Sequence, residues 1–188
     1  MIAAMVLLGV RCLAQDYGDS QKVSEMAQRS GIAVQGGVGV EQFYMAVMRV
    51  VNPYYAENNI NSVKEEEEGT FELDRKNGYI RYFSEGGDCG LEVQCCYWKR
   101  PDGTLLVGFY YRLQEADGPY DAFLYFYNYN AAKHCLDYLE PPLDTTLQGD
   151  GPLQVKLPRY GKDIQYRFGR YEDGGSWTIL KWANGRFS

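Results

Sequence analysis

The chain has 188 residues, enough for one domain with a sizeable core and short for two. An aromatic content of 15%, including 17 tyrosines, excludes disorder over most of that length. A formal net charge of -6 argues against electrostatic attachment to nucleic acid or to anionic membranes, so no nucleic-acid partner is expected.

The N-terminus carries the strongest signal for location. Residues 2–10 (IAAMVLLGV) form an apolar run far short of the roughly 20 residues a spanning helix needs. Cys12 and Ala14 then place small residues three and one positions before a cut ahead of Gln15. This layout predicts a secretory signal segment over 1–14 and a single exported domain over 15–188, in the periplasm or at the cell surface, with no integral membrane segment in the mature chain. The departure from the pattern is the lack of Lys or Arg ahead of the run, and the competing reading is a buried N-terminal helix or strand. Arg11, directly before Cys12, disfavours a lipid-modified cysteine.

Four cysteines follow: Cys89, Cys95, Cys96 and Cys135. An oxidising compartment invites a disulfide reading, and four cysteines allow three complete pairings. Cys95 and Cys96 are neighbours on a predicted strand, point to opposite faces and do not pair with each other. A link from that strand to Cys89 or Cys135, or buried free thiols, both remain open.

Along the chain, residues 16–30 predict a short helix through Val23, Met26 and Ala27, stopped by Gly31. Gly36, Gly37 and Gly39 lack the partners of a phosphate loop or a dinucleotide fingerprint and read as a connector. Residues 41–51 carry the best helix signal. Val40, Phe43, Tyr44, Val47, Val50 and Val51 make one apolar stripe, with Glu41 in the first turn and Arg49 in the last. The acidic run Glu65–Glu68 lacks the alternation of a calcium loop and reads as a solvated segment.

Beyond Thr70 the period changes to two. Asn77-Gly78 joins two short strands as a hairpin, and Asp102-Gly103 joins LEVQCCYWK to LLVGFYYRLQ. DAFLYFYNYN follows after a Gly-Pro turn. Strands apolar on both faces belong at the centre of a covered sheet. Residues 131–139 read as a short helix or a turn, 153–157 as a strand, 164–168 as a strand with one wet face, and 176–182 as a last strand. The fold expected is therefore α+β, with an N-terminal helix or helices on a long, mainly antiparallel meander of about seven or eight strands that curls or splits.

Catalytic signals are sparse. The single histidine, His134, adjoins Cys135, and sequence neighbours rarely face one another as a nucleophile pair. No CxxC spacing supports zinc, and no metal or other cofactor is expected. There is no G-x-S-x-G, HExxH or Walker pattern. Glu115 and Asp117 are close in sequence, but among 25 acids chance explains them. What remains is aromatic. Tyr110, Phe123, Tyr125, Tyr127 and Tyr129, joined by Trp98, are the candidate ligand-binding residues if they share a face. Buried, the same residues are core; exposed, they are a platform for a sugar ring or peptide. A platform predicts that Ala at Tyr125 and Tyr127 removes binding and spares the fold.

The exported start, the Tyr-rich meander and the C-terminal pieces LPRYGKDIQYRFGRY and WTILKWANGRF resemble the small exported proteins of unknown function common in Bacteroidetes-type bacteria. That resemblance implies a periplasmic or surface location and carries no catalytic residues. The function expected is a non-enzymatic extracytoplasmic binding or interaction module, with a glycan or another extracytoplasmic protein as partner. The alternative is a hydrolase acting on glycan or peptide through surface carboxylates.

Overall fold

Alternation of apolar residues, punctuated by turn dipeptides, builds a seven-stranded antiparallel sheet. A computed structural model describes residues 20–51, 60–61, 69–86, 89–115, 120–143, 151–169 and 175–188. The sheet comprises β1 (Ile32–Ala33), β2 (Thr70–Asp74), β3 (Tyr79–Gly86), β4 (Cys89–Lys99), β5 (Leu105–Glu115), β6 (Tyr120–Asn130) and β7 (Cys135–Leu139). Its order is β1-β7-β6-β5-β4-β3-β2, a meander closed at one edge by the short N-terminal strand.

Local chemistry sets the turns. Between β2 and β3, Gly78 has φ +63°, and the Asp74 carboxylate accepts the Asn77 backbone N–H at 3.1 Å and its side-chain amide at 2.8 Å. Between β4 and β5, Asp102 accepts from the Thr104 N–H at 2.9 Å and hydroxyl at 2.7 Å, and Gly103 has φ +86°. These are the side-chain-to-backbone bonds that make Asp and Asn turn formers. Residues 131–139 correct the expectation of a helix or turn alone. A tight turn over 131–134 is followed by the full strand β7, paired to β6 from Asn130↔Cys135 to Phe126↔Leu139. The Asn130 side chain accepts the Lys133 N–H at 3.1 Å, and His134 at φ +49° reverses the chain.

Helices α1 (Ser20–Ala27) and α2 (Val40–Val51) supply the helical part. The first ends at Ala27, ahead of the stop expected at Gly31, and residues 16–19, like the expected signal segment and the acidic run, lie outside the described residues. The second matches its apolar stripe. Phe43, Tyr44, Val47, Met48 and Val51 are buried against Ile80, Val93, Cys95, Val107, Phe109 and Tyr127 of the sheet. Each such side chain contributes about 1.5–3 kcal/mol on leaving water. Glu41 anchors the helix start to the first hairpin through Arg75 at 2.8 Å.

The opposite face of the sheet is covered by the C-terminal strands. The chain splits there into a three-stranded sheet of β8 (Leu153–Lys156), β9 (Ile164–Phe168) and β10 (Thr178–Leu180), and a hairpin of β11 (Trp182–Ala183) and β12 (Arg186–Phe187). Val155, Leu157, Ile164, Tyr166, Leu180 and Phe187 pack on Tyr79, Cys96, Trp98, Leu106, Tyr110, Leu124 and Phe126. The large sheet also satisfies the free edge of β8. The Gln94 amide donates to Val155 O at 3.0 Å and accepts Leu157 N–H at 2.8 Å, while Tyr110 Oη donates to Leu153 O at 2.9 Å. An otherwise orphaned strand edge thereby finds its partners in side chains. At the other end the Trp98 indole lies over Gly108, so close that a Cβ there would sit 2.8 Å from the ring. The architecture is thus largely antiparallel β, with helices on one face and a second β layer on the other. Among the described residues no helix is long and apolar enough to cross a membrane.

Candidate functional site

The six aromatic candidates do not form one strip. Pairing of β5 with β6 runs through Tyr111↔Phe123, Phe109↔Tyr125, Val107↔Tyr127 and Leu105↔Tyr129, whereas Tyr110 opposes Leu124. Side chains alternate across a strand, so this register sends Phe123, Tyr125, Tyr127 and Tyr129 toward α2. Tyr110 and Trp98, the latter opposite Leu106, face the C-terminal layer. Five of the six are buried: Tyr127 is 0% exposed and Tyr129, the most accessible of the five, 8%. Phe123 is half-buried and stacks on Tyr125 with ring centroids 5.8 Å apart. The common-face platform is corrected on both counts, by register and by cover.

The polar ends of Trp98, Tyr127 and Tyr129 are spent inside the protein. Tyr127 Oη donates to Ala27 O at 2.8 Å, Trp98 Nε1 to Lys162 O at 2.9 Å, and Tyr129 Oη lies 3.1 Å from His134 Nδ1. Burial pushes the Tyr127 and Tyr125 hydroxyls well above the ordinary phenol range. His134, on an exposed turn, is therefore a neighbour of Tyr129. The Cys135 thiol instead lies 3.8 Å from Asp137 Oδ1.

Cys95 and Cys96 do point to opposite faces, one into each core, and with Cys135 they are free thiols. Desolvation raises both the Cys95 and Cys96 thiols, which keeps them protonated and unreactive. The Cys89, Glu115 and Asp117 side chains lie outside the described residues. Among the described residues no three His, Cys, Asp or Glu side chains converge as metal ligands.

Two polar constellations stand out instead. The first lies between the layers. Glu92, 4% exposed at its side chain, takes Arg81 Nε at 3.0 Å, Arg112 Nη2 at 3.3 Å and Gln94 Nε2 at 2.9 Å. One carboxylate thus serves two guanidiniums and fixes the Gln94 amide that caps β8. Its geometry makes it a structural seam: these bonds tie β4 to β3 through Arg81 and to β5 through Arg112.

The second lies on the outer face of β8–β10, away from the core. Lys156, Gln165 and Ile179 form one row across the three strands, and Gln154 opposes Arg167. The half-buried Trp177 sits beside that row, with Lys156 Nζ 4.1 Å and Arg167 Cζ 4.8 Å from its ring centroid. Arg167 is oriented from behind: its Nε donates to Gln154 Oε1 at 3.0 Å and its Nη1 to Gly175 O at 3.1 Å. Gln154, 2% exposed, is held in turn by Gly169 O. Lys156, Gln165 and Ile179 are exposed, Ile179 by 46%. The ring quadrupole holds two cations whose mutual repulsion would otherwise part them. Such an array attracts an anion and offers apolar surface beside it.

A signal for this face was present in the sequence as charge asymmetry. Residues 151–188 carry seven Lys and Arg against three Asp and Glu, while residues 1–150 carry twelve against twenty-two. The net charge of the whole chain conceals a basic C-terminal layer. No protein-family model, curated protein or solved structure matches the chain.

Proposed function

We propose that the protein is an exported, non-enzymatic binding module whose ligand site is the outer face of β8–β10, centred on Trp177. One observation carries this reading: a tryptophan ring with two cations drawn to it on a solvent-facing sheet surface, beside the exposed Ile179 and Gln165. The large sheet, covered on both faces, serves as the rigid support for that surface. The apolar N-terminal run and its small-residue cut site support export, and a glycan or another extracytoplasmic protein is the partner in that setting.

A glycan array and an immobilised-protein pull-down, run on the full chain and on Trp177→Ala, test the reading. Retention by the parent and loss in the variant is the expected result, with the urea unfolding midpoint little changed. Equal retention by both places the site elsewhere and overturns the assignment.

A further inference from the structure

The chain holds two Asn-Gly pairs, Asn77-Gly78 and Asn184-Gly185, and both close hairpin turns. In such a pair the next backbone nitrogen can reach the side-chain amide carbon, because glycine has no Cβ to block the approach. We infer that Asn184 is a site of self-modification, deamidating through a cyclic imide to isoaspartate and aspartate, and that the fold withholds Asn77 from the same reaction.

The step needs nothing beyond water. The Gly185 nitrogen loses its proton and attacks Asn184 Cγ; a C–N bond forms, the bond from Cγ to the amide nitrogen breaks, and ammonia leaves. Water then opens the imide at either carbonyl. Opening at the backbone carbonyl of Asn184 gives isoaspartate, with one more atom in the main chain, and opening at Cγ gives aspartate. Nothing is oxidised or reduced, and either product adds a negative charge.

Two differences separate the sites. The Asn77 amide nitrogen donates to Asp74 Oδ2 at 2.8 Å and its backbone N–H to Oδ1 at 3.1 Å, on a carboxylate that Arg159 Nε holds at 3.0 Å. Asn77 has to give up a charge-assisted bond before its Cγ can meet the Gly78 nitrogen. Gly78 is also buried beneath the Tyr97 ring, which limits the peptide rotation that ring closure needs. Asn184, by contrast, is exposed, and among the described residues no hydrogen bond holds its side chain. Its hairpin closes at Ala183↔Arg186, so the Gly185 N–H lies in the two-residue loop outside the ladder. With two residues in each strand, this hairpin opens at low cost.

The product reaches the core. Gly185 O accepts Arg100 Nε at 3.1 Å, and Trp182 and Phe187 on either side of the turn pack on Trp98 with ring centroids 5.7 and 5.0 Å away. An extra main-chain atom at position 184 lengthens the loop that holds this clasp, so conversion loosens it from Trp98.

The full chain, aged at mildly alkaline pH both folded and in urea, tests the inference. Trypsin releases the two sites separately, in residues 77–81 and 182–186, and mass spectrometry with chromatographic separation of the isoaspartyl peptides follows each. In the folded chain Asn184 should convert about tenfold or more faster than Asn77, the scale of one charge-assisted bond that must break first. In urea the two rates should come together. Comparable rates in the folded chain overturn selection by the fold, and Asn184 left intact while the unfolded chain converts overturns the site. Asn184→Gly, which accepts the left-handed turn and has no amide, is aged alongside. Tryptophan emission should shift to the red in the aged parent and stay in place in the variant. A converted parent with unchanged emission overturns the loosening of the clasp.

Discussion

Replacing Glu92 by Gln tests how the second layer is joined to the first. The substitution keeps shape and one acceptor oxygen but removes the charge between Arg81 and Arg112, whose side chains are 33% and 7% exposed. Arg81 can turn toward water, whereas Arg112 stays interior and loses the carboxylate charge beside it. Removing one partner of a buried pair costs about 3–5 kcal/mol. For a chain of this size each kcal/mol moves the melting temperature by about 2–4 °C, so Tm should fall by about 6–20 °C. Since domains are stable by about 5–15 kcal/mol, that is a large share of the total. Urea unfolding followed by tryptophan fluorescence, with the slope unchanged, measures it. Replacing Glu92 and Arg112 together by Met removes both desolvation costs and should recover most of the loss. A Glu92→Gln protein within about 1 kcal/mol of the parent refutes the assignment of a buried seam.

Three further outcomes are expected. Tyr125→Ala with Tyr127→Ala should abolish cooperative unfolding, because each removes a fully packed ring worth about 3–5 kcal/mol and Tyr127 also holds the Ala27 carbonyl; a folded double variant would reopen the platform. Gly108→Ala should displace the Trp98 ring and cost about 1–3 kcal/mol, visible as a shifted fluorescence maximum and a lower urea midpoint. Acid should weaken the fold through Asp74, Asp102 and Asp163, all held below the usual carboxyl range. The main causes are side-chain donation by Asn77, then Arg159, to Asp74; donation by the Thr104 hydroxyl to Asp102; and donation by the Trp182 N–H, then Lys181, to Asp163. Their folded pKa values are depressed, so their contribution is complete above about pH 4 and is lost as pH falls through the folded values. The urea midpoint should decline below about pH 4, and Asp163→Asn should flatten that decline.

How the layers fit was only partly legible from residues. Period-two alternation and the Asn77-Gly78 and Asp102-Gly103 dipeptides are local signals, and the hairpins they mark form where expected. The stripe from Val40 to Val51 likewise determines its helix and its buried side. A local signal also failed at 131–139, where β7 is a strand because β6 offers it an open edge.

What the sequence by itself determined, then, is the meander from β2 to β6 and which of its strands are apolar on both faces. Tertiary structure decided the rest. Whether Tyr110 shares a face with Tyr125 depends on the parity of the β5–β6 register, which alternation within each strand leaves free. Whether an aromatic face is covered depends on where the short strands after Leu153 fold, and their few residues carry little periodicity of their own. Lys156, Arg167 and Trp177 come from three separate segments and meet only because β8, β9 and β10 pair as they do, since a sheet fixes neighbours by lateral hydrogen bonding rather than by distance along the chain.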